Sequence, residues 1–168
     1  MPPAMLDLGS ASTDVAEVVP GLFIGGATAA RHLPDGVQRV VNATQHEPCH
    51  HADVGVKYLH LSIEDTEGAA ISEHFAESNA FIASGLEAGE SVLVHCIAGI
   101  SRSAALIIAY LVAERGHTLA EALDLTRTAR EVAKPNQGFL AQLEQFAAGL
   151  AQTRATGGGA AVTPTSPS

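Results

Sequence analysis

The side chains best able to do covalent chemistry lie between His95 and Ser103, in the stretch His-Cys-Ile-Ala-Gly-Ile-Ser-Arg-Ser. Cys96 is a nucleophile once its thiol has lost its proton. Arg102, one loop further on, carries a planar guanidinium that can hold two oxygens of a tetrahedral anion at once, a grip lysine does not reproduce. Ser103 adds a hydroxyl that can hydrogen-bond the sulfur. This grouping suits transfer of a phosphoryl group to sulfur and its release to water, with Ser103 supporting the sulfur as it leaves.

Such residues need a frame. Ser91 to His95 reads SVLVH, an apolar, β-branched run of strand length, and residues 103–115 are rich in Ala, Leu and Ile without Gly or Pro, as a buried helix requires. A strand, a loop and a helix are therefore expected, with Cys96 at the base of the loop. The first amides of a helix have no intrahelical acceptor and carry partial positive charge. Ile97, Ala98, Gly99, Ile100 and Ser101 would thus offer backbone N–H groups to a phosphate whatever their side chains, and the same field favours a thiolate at Cys96. Ala98 and Gly99 suit a tight curl.

His95-Cys96-Ile97-Ala98-Gly99-Ile100-Ser101-Arg102-Ser103 resembles the HCxxGxxR[ST] signature of the cysteine-dependent protein tyrosine phosphatases. Its Ala-Gly-x-Ser-Arg-Ser form is most similar to the dual-specificity branch. The resemblance covers about residues 16–150 and is that of a small, stand-alone "atypical" member. It implies an α/β fold: a central, mostly parallel sheet flanked by helices, with the phosphate loop between a central strand and a buried helix. It also implies hydrolysis of phosphate monoesters on protein tyrosine and on serine or threonine side chains through a cysteinyl phosphate, with no metal or other cofactor.

That reaction expels an alkoxide or phenolate, which needs a proton as the P–O bond breaks. Asp65 follows a strand candidate at 58–63, at the end where α/β folds gather their ligands. It lies in a polar turn, EDTEG, able to move over a pocket, with Glu64 and Glu67 as rivals. The resemblance points to Asp65 as well. His95 precedes the nucleophile on a strand, so it is expected to face away from the pocket, bond the loop and favour the thiolate; a satisfied core histidine is the alternative. The resemblance gives Asn136, in Pro135-Asn136-Gln137-Gly138-Phe139, the task of bracing the loop, beside the plainer reading of a helix cap. A second proline often found earlier in this segment is absent, and Ala129-Arg130-Glu131-Val132 stands there.

Along the chain, residues 1–14 read as a flexible arm, 15–151 as the catalytic domain and 152–168, dominated by Gly, Ala, Thr, Pro and Ser, as a disordered tail. Strands are expected at 16–19 and 22–24 around a Pro20-Gly21 turn, and at 37–42, 58–63 and 91–95. A short Ala-rich helix should run through His32, and an amphipathic helix should span 71–86. Gly116 should end the helix after the loop, and Thr118 with Glu121 should box the start of another running to about Ala133. Asn136 should cap a last helix with Phe139, Leu140, Leu143, Phe146 and Leu150 on one face.

Composition narrows the partners. The net charge is −9, with 9 Lys and Arg against 18 Asp and Glu, so a nucleic-acid partner is not expected. No apolar run would cross a membrane, and MPPAMLDLGS lacks the pattern of a signal peptide. Cys49 and Cys96 are the two cysteines, which suits a reducing, cytoplasmic location, with the nucleus also open. Gln45 to His51, QHEPCHH, invites a metal reading, but no second Cys/His pair has suitable spacing, so a surface loop is expected. The loop positions Ile97, Ala98, Ile100 and Ser101 carry no positive charge. Resembling phosphoinositide phosphatases use lysines there, and RNA phosphatases of this fold would want a basic channel. A phosphorylated protein or peptide is therefore the expected substrate; the alternatives are a phosphoinositide or RNA 5′-phosphatase, or a phosphate-binding module with weak catalysis.

Overall fold

The computed structural model describes residues 14–157. Strands β1 (Val15–Val19) and β2 (Leu22–Gly25) form an antiparallel hairpin around Gly21, whose φ of 82° suits the second central position of a type II turn. Helix α1 (Ala27–Arg31), β3 (Val37–Asn42), β4 (Lys57–His60), α2 (Phe75–Glu87) and β5 (Ser91–His95) follow, then α3 (Arg102–Glu114), α4 (Leu119–Ala129) and α5 (Gln137–Gly157). The sheet order is β1-β2-β5-β3-β4, with β5 parallel to both its neighbours and β3 parallel to β4. A strand in that position is covered on both faces, which explains why SVLVH is apolar without alternation.

Alternate residues feed two cores. Leu22, Ile24, Val41, Val92 and Val94 join the larger one with α2, α3, α4 and α5, whereas Phe23, Val40 and Leu93 join a smaller one under Ala29 of α1. Helix α3 is buried without interruption from Ser103 to Val112, as a helix apolar all round must be. It therefore cannot shift without disturbing the core, and the loop at its start inherits that rigidity.

Several boundaries differ from expectation for identifiable reasons. β4 ends at His60, not Ile63: β3 stops at Asn42, whose carbonyl takes the Leu61 amide at 2.8 Å, and the chain beyond has no neighbouring strand. A 3-10 turn, Ile71–His74, precedes α2. Helix α4 carries the foreseen capping box, with Thr118 N donating to Glu121 Oε2 at 2.8 Å and Glu121 N to Thr118 Oγ1 at 3.2 Å. It stops at Ala129 because Arg130 turns extended (φ −137°, ψ 99°). Helix α5 runs on through Gly157, past residue 151, and Arg154 donates to the Val112 and Ala113 carbonyls at 3.2 and 2.9 Å, capping α3 from outside. Asp14, assigned to a flexible arm, is bonded to α1 and to Arg130. Residues 1–13 and 158–168, the rest of the expected arm and tail, lie outside the described residues.

QHEPCHH is more than a surface loop. Glu47 is buried and pairs with Arg31 Nε at 2.9 Å and His50 Nε2 at 2.7 Å, which holds its carboxyl below the usual range. Asn42 donates to the Glu47 carbonyl at 2.7 Å and to Cys49 Sγ at 3.6 Å, and His51 Nε2 meets the Arg31 carbonyl at 3.1 Å. These side chains serve one another, and among the described residues no group of three or more His, Cys, Asp or Glu converges as a metal site would require.

Candidate active site

β5 delivers the chain to the phosphate loop where its neighbours end: His95 is paired with Gly25 and Asn42, and Cys96 N donates to the Gly25 carbonyl at 3.2 Å. The next carbonyls all face outward. Ile97 O accepts from Ala27 N (2.8 Å), Ala98 O and Gly99 O from the Arg130 guanidinium (3.1 and 2.8 Å), and Ile100 O from Lys134 N (2.7 Å). In a trans peptide the N–H points opposite to the C=O, and no peptide bond among the described residues is cis. The amides of Ala98, Gly99, Ile100 and Ser101 therefore face inward. Gly99 confirms the direction by donating to Cys96 Sγ at 3.2 Å. Its φ is +66°, and a β-carbon there would fall 2.7 Å from the Gly25 carbonyl carbon, so only glycine fits.

Cys96 is buried, with its sulfur 3.3 Å from Ser103 Oγ and above the first turn of α3. No side chain caps that helix, because the Ser101 hydroxyl accepts the Asn136 amide instead, at 2.9 Å. The helix amides are thus left for a ligand. Arg102 is anchored by Nη1 on the Ile63 carbonyl at 3.0 Å, while its Nε–H is buried without an acceptor among the described residues. An oxyanion oxygen would satisfy that donor. His95 Nδ1 meets the Cys96 carbonyl at 3.2 Å, an acceptor only, so Nδ1 carries the proton. Burial lowers the His95 pKa and keeps the ring neutral. The expected bond from His95 to the loop is present.

Asp65 lies on an exposed turn, yet that turn is fastened along α5. Asn136 Nδ2 donates to Asp65 Oδ1 at 3.0 Å, Gln142 Nε2 to the Ala69 carbonyl at 2.8 Å, and Ser72 N to Gln142 Oε1 at 2.9 Å. A β-carbon on Gly138 would fall 1.9 Å from the Glu67 carbonyl oxygen, so the turn lies directly on that glycine. The turn expected from EDTEG to be able to move over a pocket rests on α5 in this structure through these contacts. Its rival Glu64 accepts from Gln45 at 3.3 Å. Asn136 does more than expected: its amide holds Ser101, its Oδ1 caps α5 through Phe139 N at 2.8 Å, and its side-chain N–H groups reach Asp65. It joins the Asp65 turn to the loop that follows β5.

The chain that carries these groups is similar to known proteins in both sequence and fold. Residues 25–148 match the family described as "Dual specificity phosphatase, catalytic domain". The chain belongs to this family. The mouse dual specificity protein phosphatase 22 is 39% identical over 134 residues, covering 79% of this chain and 73% of the relative. The mouse dual specificity phosphatase 28 is 38% identical over 135 residues, 78% of this chain and 82% of the relative. The crystal structure of human DUSP28 aligns with a TM-score of 0.78 at 34% identity, over 82% of this chain and 95% of that one. A dual-specificity phosphatase is a protein phosphatase, and the cysteinyl-phosphate route is general to the family. The chain is accordingly an enzyme whose substrates are phosphorylated proteins.

Sequence reasoning about this phosphatase passed over Arg130, Asp14 and Gln142. Arg130 stood in view only as part of a segment lacking a proline. Its carboxylate partner lies 116 residues away, a separation for which a single sequence carries no signal.

Proposed function

We propose that this dual-specificity phosphatase works through Cys96 as nucleophile, Asp65 as general acid and then base, and Arg102 with the loop amides as the grip on the phosphate. The observation that carries the reading is the Cys96 sulfur, which receives the Gly99 amide and lies beside Ser103 Oγ within a loop whose amides face inward. In the first step the sulfur attacks phosphorus in line while Asp65 protonates the leaving oxygen. In the second, Asp65 takes a proton from water, the water oxygen attacks phosphorus, and Ser103 donates to the departing sulfur. His95, Asn136 and the backbone of Ile97, Ala98, Gly99, Ile100 and Ser101 position these groups.

The reading of the substrate rests on the rim. Ile97, Ile100 and Val132 are 50%, 38% and 54% exposed around the loop, and Glu64 and Glu67 are exposed on the facing turn. An apolar and acidic rim receives a phosphotyrosyl ring or a phosphorylated serine or threonine on a peptide, and it repels a polyanionic inositide or RNA. Lys134 is exposed beside it, and Arg130 is engaged by the loop carbonyls and Asp14. Two free thiols suit a reducing, cytoplasmic workplace.

Two substitutions test the assignment. Cys96→Ser is expected to abolish turnover while retaining orthophosphate binding; unimpaired turnover would sink the mechanism. Asp65→Ala is expected to slow hydrolysis by about 10² or more with alkyl leaving groups and much less with nitrophenyl phosphate, whose leaving group needs little protonation. An equal loss on both would remove Asp65 as the acid.

A further inference from the structure

We propose that Asp14 and Arg130 are positioning residues for the phosphate loop, joining the segment that enters β1 to the loop and fixing the direction of its peptide groups. The proposal rests on the loop being the phosphate site. Its starting point is the pair of outward carbonyls, Ala98 O and Gly99 O, covered by a single guanidinium. Gly99 is buried whereas Ala98 is exposed, so it is the Gly99 carbonyl that would be left costly without a donor, and without that cover the cheaper arrangement inverts its peptide group. Inversion there would turn an amide away from the ligand and present a carbonyl oxygen to it, exchanging attraction for repulsion at a dianion.

Arg130 can cover both carbonyls only if its own plane is held. Its side chain is 7% exposed, so its charge needs a partner, and Asp14 Oδ1 supplies one at 3.3 Å from Nη2. Asp14 is itself fixed: its Oδ2 accepts the Ala29 amide of α1 at 2.9 Å and its backbone oxygen accepts Gly26 N at 3.1 Å.

Glycines surround the pair at each point of contact. A β-carbon on Gly26 would lie 2.5 Å from Asp14 Oδ1 and 2.6 Å from the Ile97 carbonyl oxygen, and one on Gly25 would lie 2.8 Å from the Asp14 carbonyl oxygen. A β-carbon on Gly99 would lie 2.9 Å from Arg130 Nη2. The start of β1, the start of α1, the loop and the residue after α4 thus meet with no room for a side chain at any of the three glycines. Gly25 and Gly26 leave the space that Asp14 occupies.

The test measures orthophosphate binding by calorimetry in the full chain carrying Cys96→Ser, so that no turnover is needed. Failure of that parent to bind phosphate would defeat the reading of the site itself, whatever the pair does. Given binding by the parent, adding Asp14→Asn is expected to weaken it about tenfold, and Asp14→Glu to restore most of it. In the chain with Cys96 intact, Asp14→Asn should also slow alkylation of Cys96 by iodoacetamide at neutral pH by about tenfold, because the inward amides that favour the thiolate are disturbed. Arg130→Lys, which keeps the charge but cannot reach both carbonyls, guards against loss of folding and should weaken phosphate binding to a similar degree. Phosphate affinity within about twofold of the parent in folded Asp14→Asn and Arg130→Lys would overturn the proposal. A lowered melting temperature with unchanged phosphate affinity would overturn it equally.

Discussion

At the scale of single residues, His95 shows how a buried group next to Cys96 links stability to pH. Its pKa is lowered from 6.5 chiefly by burial, so the folded protein refuses a proton that the unfolded chain accepts. Stability from this group is complete above pH 6.5 and is lost as pH falls below it towards the lowered folded value. The slope can reach about 1.4 kcal/mol per pH unit while one proton separates the two states. His95→Gln should therefore cost stability at pH 7.5 and cost less at pH 5.5, as measured by urea unfolding at both. An equal cost at the two pH values would remove His95 as the source. Glu47, held below the usual carboxylate range by Arg31, adds a second loss, in the range below pH 4.5.

At the scale of elements, the first turns of α5 bear on the acid turn more than on the loop. Gly138→Ala would push the Glu67 carbonyl aside, because the added methyl would fall 1.9 Å from its oxygen. Displacing Asp65 by such an amount should lower kcat by about 10–100-fold while orthophosphate affinity stays near that of the parent, since the loop is held by other contacts. Gln142→Ala removes the bonds to Ala69 O and Ser72 N and should have a smaller effect of the same kind, read from steady-state rates. The elements themselves were largely legible. SVLVH, the Ala-Leu-Ile helix after it, the Thr118-Glu121 box and the Asn136 cap are local patterns, and each lies within a few residues of where periodicity and capping rules put it. What was not legible depends on distant partners: β4 ends where β3 ends, α4 stops where Arg130 is drawn to the loop, and α5 continues to Arg154 because the carbonyls of α3 await it. Cys96, Arg102 and Ser103 could be found from a contiguous signature, whereas Asp14 and Arg130 are found only by folding the chain.

At the scale of the whole molecule, a net charge of −9 faces a dianionic substrate. Long-range repulsion of this kind slows encounter and is screened by salt. Raising KCl from about 20 to 200 mM should increase kcat/KM about threefold for an acidic phosphopeptide and lower it for a basic one. Salt dependence of the same sign for both peptides would show that local contacts at the rim outweigh the overall field.

Three braces of the site follow its signature in the chain: Arg130, Asn136 and Gln142 all come after Cys96 and Arg102. During synthesis Cys96 and Arg102 leave the ribosome after Asp14 but before Arg130, Asn136 and Gln142, the later residues that hold the loop and the Asp65 turn. A polypeptide cut off before α5 carries every residue of the signature and lacks the alignment that gives it force. Activity is in that sense a receipt for a finished molecule, issued only when both ends of the catalytic unit have closed on its middle.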